Sequence, residues 1–102
     1  METMIDLKAV QLFNEEGSIT MYDGFLRLRL ATPYRAQMYG FVEGVNGGTI
    51  SEQKHANTTL YVWSLNGRKA IELLNQMFPS LTGHREEQAI EVLALAHERG
   101  WI

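Results

Sequence analysis

The run FLRLRLA at residues 25–31 limits the possible folds more than any other part of the chain. Leu26, Leu28 and Leu30 alternate with Arg27 and Arg29, and only an extended strand, whose side chains point to opposite faces in turn, puts the leucines on one side and the arginines on the other. That strand needs an apolar layer against one face and leaves the other to water or a ligand. The preceding SITMY also alternates with period two. Asp23 and Gly24 between them accept the positive φ angles of a tight turn, so the two runs predict an antiparallel hairpin.

Helical spacing surrounds this hairpin. Ile5, Ala9, Leu12 and Phe13 predict a helix from about residue 3 to 15, interrupted by Gly17. Thr32 and Pro33 form a helix-start signal, followed by the stripe Tyr34, Met38, Phe41, Val42 and Val45, with an end in the stretch Gly44 to Gly48. Two further strands are predicted at about 49–55 and 58–65, joined by a short turn at Ala56 and Asn57. Ala70, Ile71, Leu74 and Phe78 form the next helical stripe, which Pro79 should stop by pushing Phe78 out of helical geometry. A last helix runs from near Thr82 to His97, with Ala89, Val92, Leu93 and Ala96 inward and Gly100 as its stop. The order is α-β-β-α-β-β-α-α. The simplest packing is an α+β fold, a four-stranded antiparallel sheet with helices on one face, in one domain over residues 1–102. Its expected core includes Leu26, Leu28, Leu30, Trp63, Ile71, Leu74, Val92 and Leu93.

Composition narrows the functions. At 102 residues and 45% hydrophobic content the chain can bury one core without disulfides or metals. The absence of cysteine excludes a thiolate zinc site and a cysteine nucleophile. No apolar run approaches the ~20 residues of a membrane span, and the first residues lack the basic head of a secretion signal, so no membrane partner is expected and the cytoplasm is the default location. A net charge of −3 argues against a strong nucleic-acid binder, yet its distribution is uneven. Between Ser18 and Leu65, the four basic residues Arg27, Arg29, Arg35 and Lys54 face the three acids Asp23, Glu43 and Glu52, a balance of +1. His55, His84 and His97 lack ligand spacing. Gly47 and Gly48 are not followed by the Gly-Lys-Ser of a phosphate loop, and Ser18 has no His and Asp near it.

Three segments carry a family resemblance: LFNEEGSIT, YVWSLNGRKAIELLNQMFPSL and EEQAIEVLALA. Together, through Trp63, Gly67, Ala70, Pro79, Leu81, Gln88 and Ala89, they make nearly the whole chain resemble a small LAGLIDADG homing-endonuclease domain, with AVQLFNEEG at residues 9–17 in place of the nine-letter motif. The resemblance implies that Glu16 holds a divalent cation such as Mg²⁺ beside the scissile phosphate, a role that suits a hard oxygen ligand. One unit supplies one such carboxylate, so cleavage implies a homodimer joined through its first helices. Val10 and Gln11 stand where the motif has small Ala and Gly, which predicts a contact that is wider or absent, and Asn14 replaces its first acid. A basic residue expected near the start of the last helix is His84 when counted from Pro79, or Arg85 when counted back from Gln88 and Ala89.

With Tyr61, Trp63 and Leu65 toward the helices, as the resemblance implies, Leu60, Val62 and Ser64 face outward. The candidate binding face then carries Thr20, Tyr22, Arg27, Arg29, Ser51, Gln53 and His55 beside the apolar strip of Leu60 and Val62. Three functions fit. The favoured one is a binding module without efficient nuclease activity, gripping nucleic acid or a protein with the outer sheet face and needing no cofactor. The others are a homodimeric Mg²⁺-dependent endonuclease using Glu16, and a protein-binding inhibitor or adaptor of the kind a mobile element carries, with its acidic helices as the contact surface.

Overall fold

The computed structural model describes residues 5–22, 24–45 and 47–101, with the side chain of Tyr22 outside that description. The elements follow the expected order: α1 (Leu7–Glu16), β1 (Gly17–Tyr22), β2 (Phe25–Thr32), α2 (Arg35–Val45), β3 (Thr49–His55), β4 (Thr58–Asn66), α3 (Gly67–Met77), a 3₁₀ turn (Phe78–Ser80) and α4 (Gly83–Glu98). All strands pair antiparallel in the order β1-β2-β4-β3. Tyr22 pairs with Phe25 across the two-residue turn, of which Asp23 lies outside the described residues.

The leucines of β2 drive the packing. Leu26, Leu28 and Leu30 are buried with Phe13 of α1, Met38 and Phe41 of α2, Trp63 of β4, and Leu74 and Met77 of α3. Burying a side chain of this size stabilises the fold by about 1.5–3 kcal/mol. Trp63 lies in register with Leu30 on one side and Ile50 on the other. Its ring meets Phe41 edge-on at 4.8 Å and 76°, and its Nε1–H donates to the Gly47 carbonyl at 2.8 Å. Gly48 has φ +99°, and a Cβ there would run into the Trp63 indole. Both facts require glycine at that turn.

Four local expectations need correction. Helix α1 begins at Leu7, because the Asp6 carboxylate accepts from the Lys8 N–H at 2.9 Å and caps it there; residues 3 and 4 of the expected helix lie outside the described residues. Tyr34 is not on the buried stripe of α2. It precedes the helix and is 67% exposed, because Thr32 is the residue that turns inward, accepting from the Tyr34 N–H at 3.2 Å and donating to Gln37 Oε1 at 2.6 Å. Pro79 does end α3, but Phe78 keeps helical angles (φ −51°, ψ −45°); the chain tightens into a 3₁₀ turn and becomes extended only at Leu81. Finally, Leu93 is half-buried at the margin of the core, while Ala89, Val92 and Ala96 are the inward residues of α4. No helix among the described residues is long and apolar enough to cross a membrane.

Candidate nucleic-acid interface

Residues paired across antiparallel strands share a face, so the register defines the surface opposite the helices. One row crosses all four strands as Ser18, Arg29, Ser64 and Thr49. A second joins Thr20, Arg27 and Asn66, and a third joins Ala31, Val62 and Ser51. Leu60 pairs with Gln53 and Thr58 with His55. Every expected surface residue, from Thr20, Arg27 and Arg29 to Ser51, Gln53, His55, Leu60 and Val62, therefore belongs to one face, as does the backbone position of Tyr22.

The two arginines sit differently on it. Arg29 is exposed, whereas Arg27 is half-buried and its Nε–H donates to Asn66 Oδ1 at 3.1 Å, a bond between neighbouring strands that fixes its guanidinium. The apolar strip is narrower than expected. Val62 is only 6% exposed on a central strand between Ala31 and Ser51, so of the expected strip only the half-buried Leu60 offers a partner apolar surface, and the largest exposed apolar side chain of the described face is Phe25, at its other end. The face also includes Ser18, Phe25, Thr49 and Asn66, none of which was singled out from the sequence. Their signal was parity: each is an even number of residues from a partner already placed on that face.

The end of α1 is the second expected site. Glu16 is its last residue and is exposed, and Gly17 follows at the start of β1. A side chain at residue 17 would strike the ring of Phe13, which is fully buried, so this contact alone demands the glycine after the acid. Val10 corrects the expected helix contact. It is 2% exposed and packs in the chain's own core, leaving Leu7 and Gln11 on the outward side of α1. Asn14 is tied down on both sides of its amide: Nδ2 donates to the Ser80 carbonyl at 3.2 Å, and Oδ1 accepts from the Thr82 N–H at 3.1 Å. A carboxylate, which only accepts, could not make both bonds.

At the start of α4, His84 stands exposed, 3.9 Å from Glu87 and 3.4 Å from Gln88 Nε2. Arg85 turns toward the body: one guanidinium nitrogen donates to Gln88 Oε1 at 3.2 Å, and its Nε is enclosed without a hydrogen-bond partner. Neither residue bonds to Glu16. Among the described residues, no three His, Cys, Asp or Glu side chains gather closely enough to hold a metal ion.

A four-stranded antiparallel sheet, helices on one face and an acid-glycine step from the first helix into the first strand define the fold as that of the LAGLIDADG homing endonucleases. The homing endonuclease I-CvuI in complex with its target superposes with a TM-score of 0.67 at 13% identity, over 90% of this chain and 65% of that one. I-CeuI complexed with DNA, a group I intron-encoded homing endonuclease, matches at 0.65 and 15% over 98% of this chain and 59% of its own. I-TnaI matches at 0.60 and 17% over 96% and 77%. The chain thus spans about two thirds of the length of the I-CvuI chain. No protein-family model and no characterised protein matches the sequence.

Proposed function

We propose that the chain is a DNA-binding module that lays its outer sheet face against the duplex and does not cleave it efficiently. What carries this reading is the row of Ser18, Arg29, Ser64 and Thr49 with Arg27 and Asn66 beside it. These are hydrogen-bond donors suited to phosphate oxygens, on the face that helices leave open, in a fold whose solved examples include DNA complexes. The burial of Val62 leaves Leu60 and Phe25 at separate strands of the face rather than a continuous apolar strip, which weighs against a protein partner there.

Mg²⁺ does not fit within one chain, where Glu16 has only the neighbouring Glu15 beside it at the helix end, no third candidate ligand gathers there among the described residues, and the Asn14 oxygen is committed to Thr82. One observation favours the homodimeric endonuclease as a second reading: with Val10 turned inward, a second α1 meets Leu7 and Gln11 instead. The testing experiment is titration of a pool of labelled duplexes at several salt concentrations. Affinity should fall linearly with log salt, and the Arg27→Ala, Arg29→Ala double variant should flatten the slope by about two charges. Tight binding that ignores both salt and the double substitution would sink the assignment.

A further inference from the structure

A cavity of about 300 Å³ opens where the β1–β2 turn, the start of α3 and the C-terminal segment after α4 converge. Its size is at the lower end of small-molecule sites, about 300–1,000 Å³. Leu26 and Ile71, both core residues, line it on the helix side, and Phe25 and Trp101 are the aromatic residues at its rim. Gly24, Gly67 and Gly100 complete the lining. All three have positive φ, +82°, +73° and +76°, which favours glycine at these turns, and a Cβ added to any of them would meet no atom within 4 Å. The described lining residues include one cation, Arg68, and no acid. Arg99 lies over the Trp101 ring at 5.6 Å.

Phe25 belongs to two surfaces at once. It lines the cavity, and it lies on the outer sheet face in step with Arg27 and Arg29, two and four residues along β2. It is also 60% exposed, since it alternates with the buried leucines of β2 and points away from the core. A flat, apolar-faced group attached to an anionic backbone matches both surfaces: aromatic rings stack on the faces of nucleobases, and arginines take the phosphates.

We propose that this cavity receives an unpaired nucleobase of the DNA held on the sheet face, with Phe25 as the stacking residue. The proposal rests on the outer face being the DNA-binding surface, and it names the substrate class: duplex DNA with a bulged or mispaired base. A base already out of its pair costs least to unstack and move into a pocket. Arg27 and Arg29 hold the backbone while the base turns off the end of the sheet beside Phe25.

The test uses the whole chain and two labelled duplexes, identical except that one carries a single unpaired 2-aminopurine. The wild type should bind the bulged duplex about tenfold more tightly, within the range expected for one base stacked on an aromatic ring, and 2-aminopurine fluorescence should be quenched. Phe25→Ala, at an exposed position, should bring the ratio of the two affinities to about one and abolish the quenching, with the slope of log affinity against log salt, set by Arg27 and Arg29, unchanged. Trp101→Phe, which retains an aromatic ring, should keep the preference. Equal wild-type affinity for both duplexes, or a preference that survives Phe25→Ala, overturns the cavity proposal and leaves the DNA-binding face standing. Failure to bind either duplex overturns both. Adenosine monophosphate binding in the cavity without any preference between duplexes marks a small-ligand site and overturns the proposal.

Discussion

β2 and β3 flank the same strand, β4, yet they hold their places by different means. In β2 the leucines are 0–1% exposed and alternate with Phe25, Arg27 and Arg29. In β3 only Ile50 is half-buried, and Glu52 and Lys54, which share its face, are as exposed as the residues on the other side. The helices explain the contrast: they pack on β1, β2 and β4, and the Trp63 ring fills the space beside Ile50. A strand with one buried face has its register fixed by the core, since a slip of one residue would expose the leucines. β3 lacks that constraint and depends on its ladder with β4 and on the turns at its ends.

The largest expected effect follows from that contrast. Leu28→Ala should destabilise the domain by about 2–5 kcal/mol, measured by denaturant or thermal unfolding, whereas Gln53→Ala should change stability by no more than about 0.5 kcal/mol. Comparable losses would mean that β3 carries a buried surface after all. Gly48→Ala comes next, at the turn that leads into β3. It forces a side chain into positive φ against Trp63, at a cost of more than about 1 kcal/mol, with the loss visible as altered tryptophan emission. An unchanged emission spectrum and melting curve would show that the turn yields without disturbing Trp63.

The same contrast explains what could be seen in the sequence. Leu26, Leu28 and Leu30 repeat with period two over a buried face, so strand, hairpin and sidedness were all legible, and the positions of Arg27 and Arg29 came with them. Val62 shows the limit. Its face followed from its parity with Trp63, but its burial depends on Ala31 and Ser51 on either side, which only the strand order brings together. On α1 the apolar residues were recognised, yet the roll of the helix was not. Phe13 is the centre of the buried stripe, with Ala9 and Val10 flanking it, and Leu12 falls to the margin. Moving the centre by one residue turns Val10 from a dimer contact into core. The role of Asn14 was out of reach because its partners, Ser80 and Thr82, are 66 and 68 residues away.

Charge gives a finer way to separate the two strands. Arg29 on β2 lies on the outer face, and Lys54 on β3 lies on the face that carries Ile50. Arg29→Ala should reduce the slope of log affinity against log salt by about one charge, while Lys54→Ala should leave it unchanged. If Lys54→Ala alone flattened the slope, DNA would be lying against the edge or the helix side of β3, and the surface defined by β2 would be the wrong one.

The smallest effect is expected at Glu16. Its carboxylate is exposed at the junction of α1 and β1, and metal-assisted cleavage requires a second carboxylate within bridging distance of shared ions. Glu15 sits about 100° round the helix from Glu16, so the second group would come from another copy packed along α1, where Gln11 would have to be accommodated at the position the motif gives to glycine. A misplacement of about 1 Å is enough to cost on the order of a hundredfold in rate. Incubation with varied duplexes and Mg²⁺ or Mn²⁺ should therefore give no specific cut, and Glu16→Gln should bind DNA as the wild type does. A site-specific double-strand break that disappears with Glu16→Gln, from a protein that sediments as a dimer, would show that two α1 helices do meet and would make the endonuclease the better account. The Gln11→Gly variant sharpens the point: if Gln11 is what holds the helices apart, that change alone should promote dimerisation, and if it does not, the obstacle lies elsewhere on the outward side of α1.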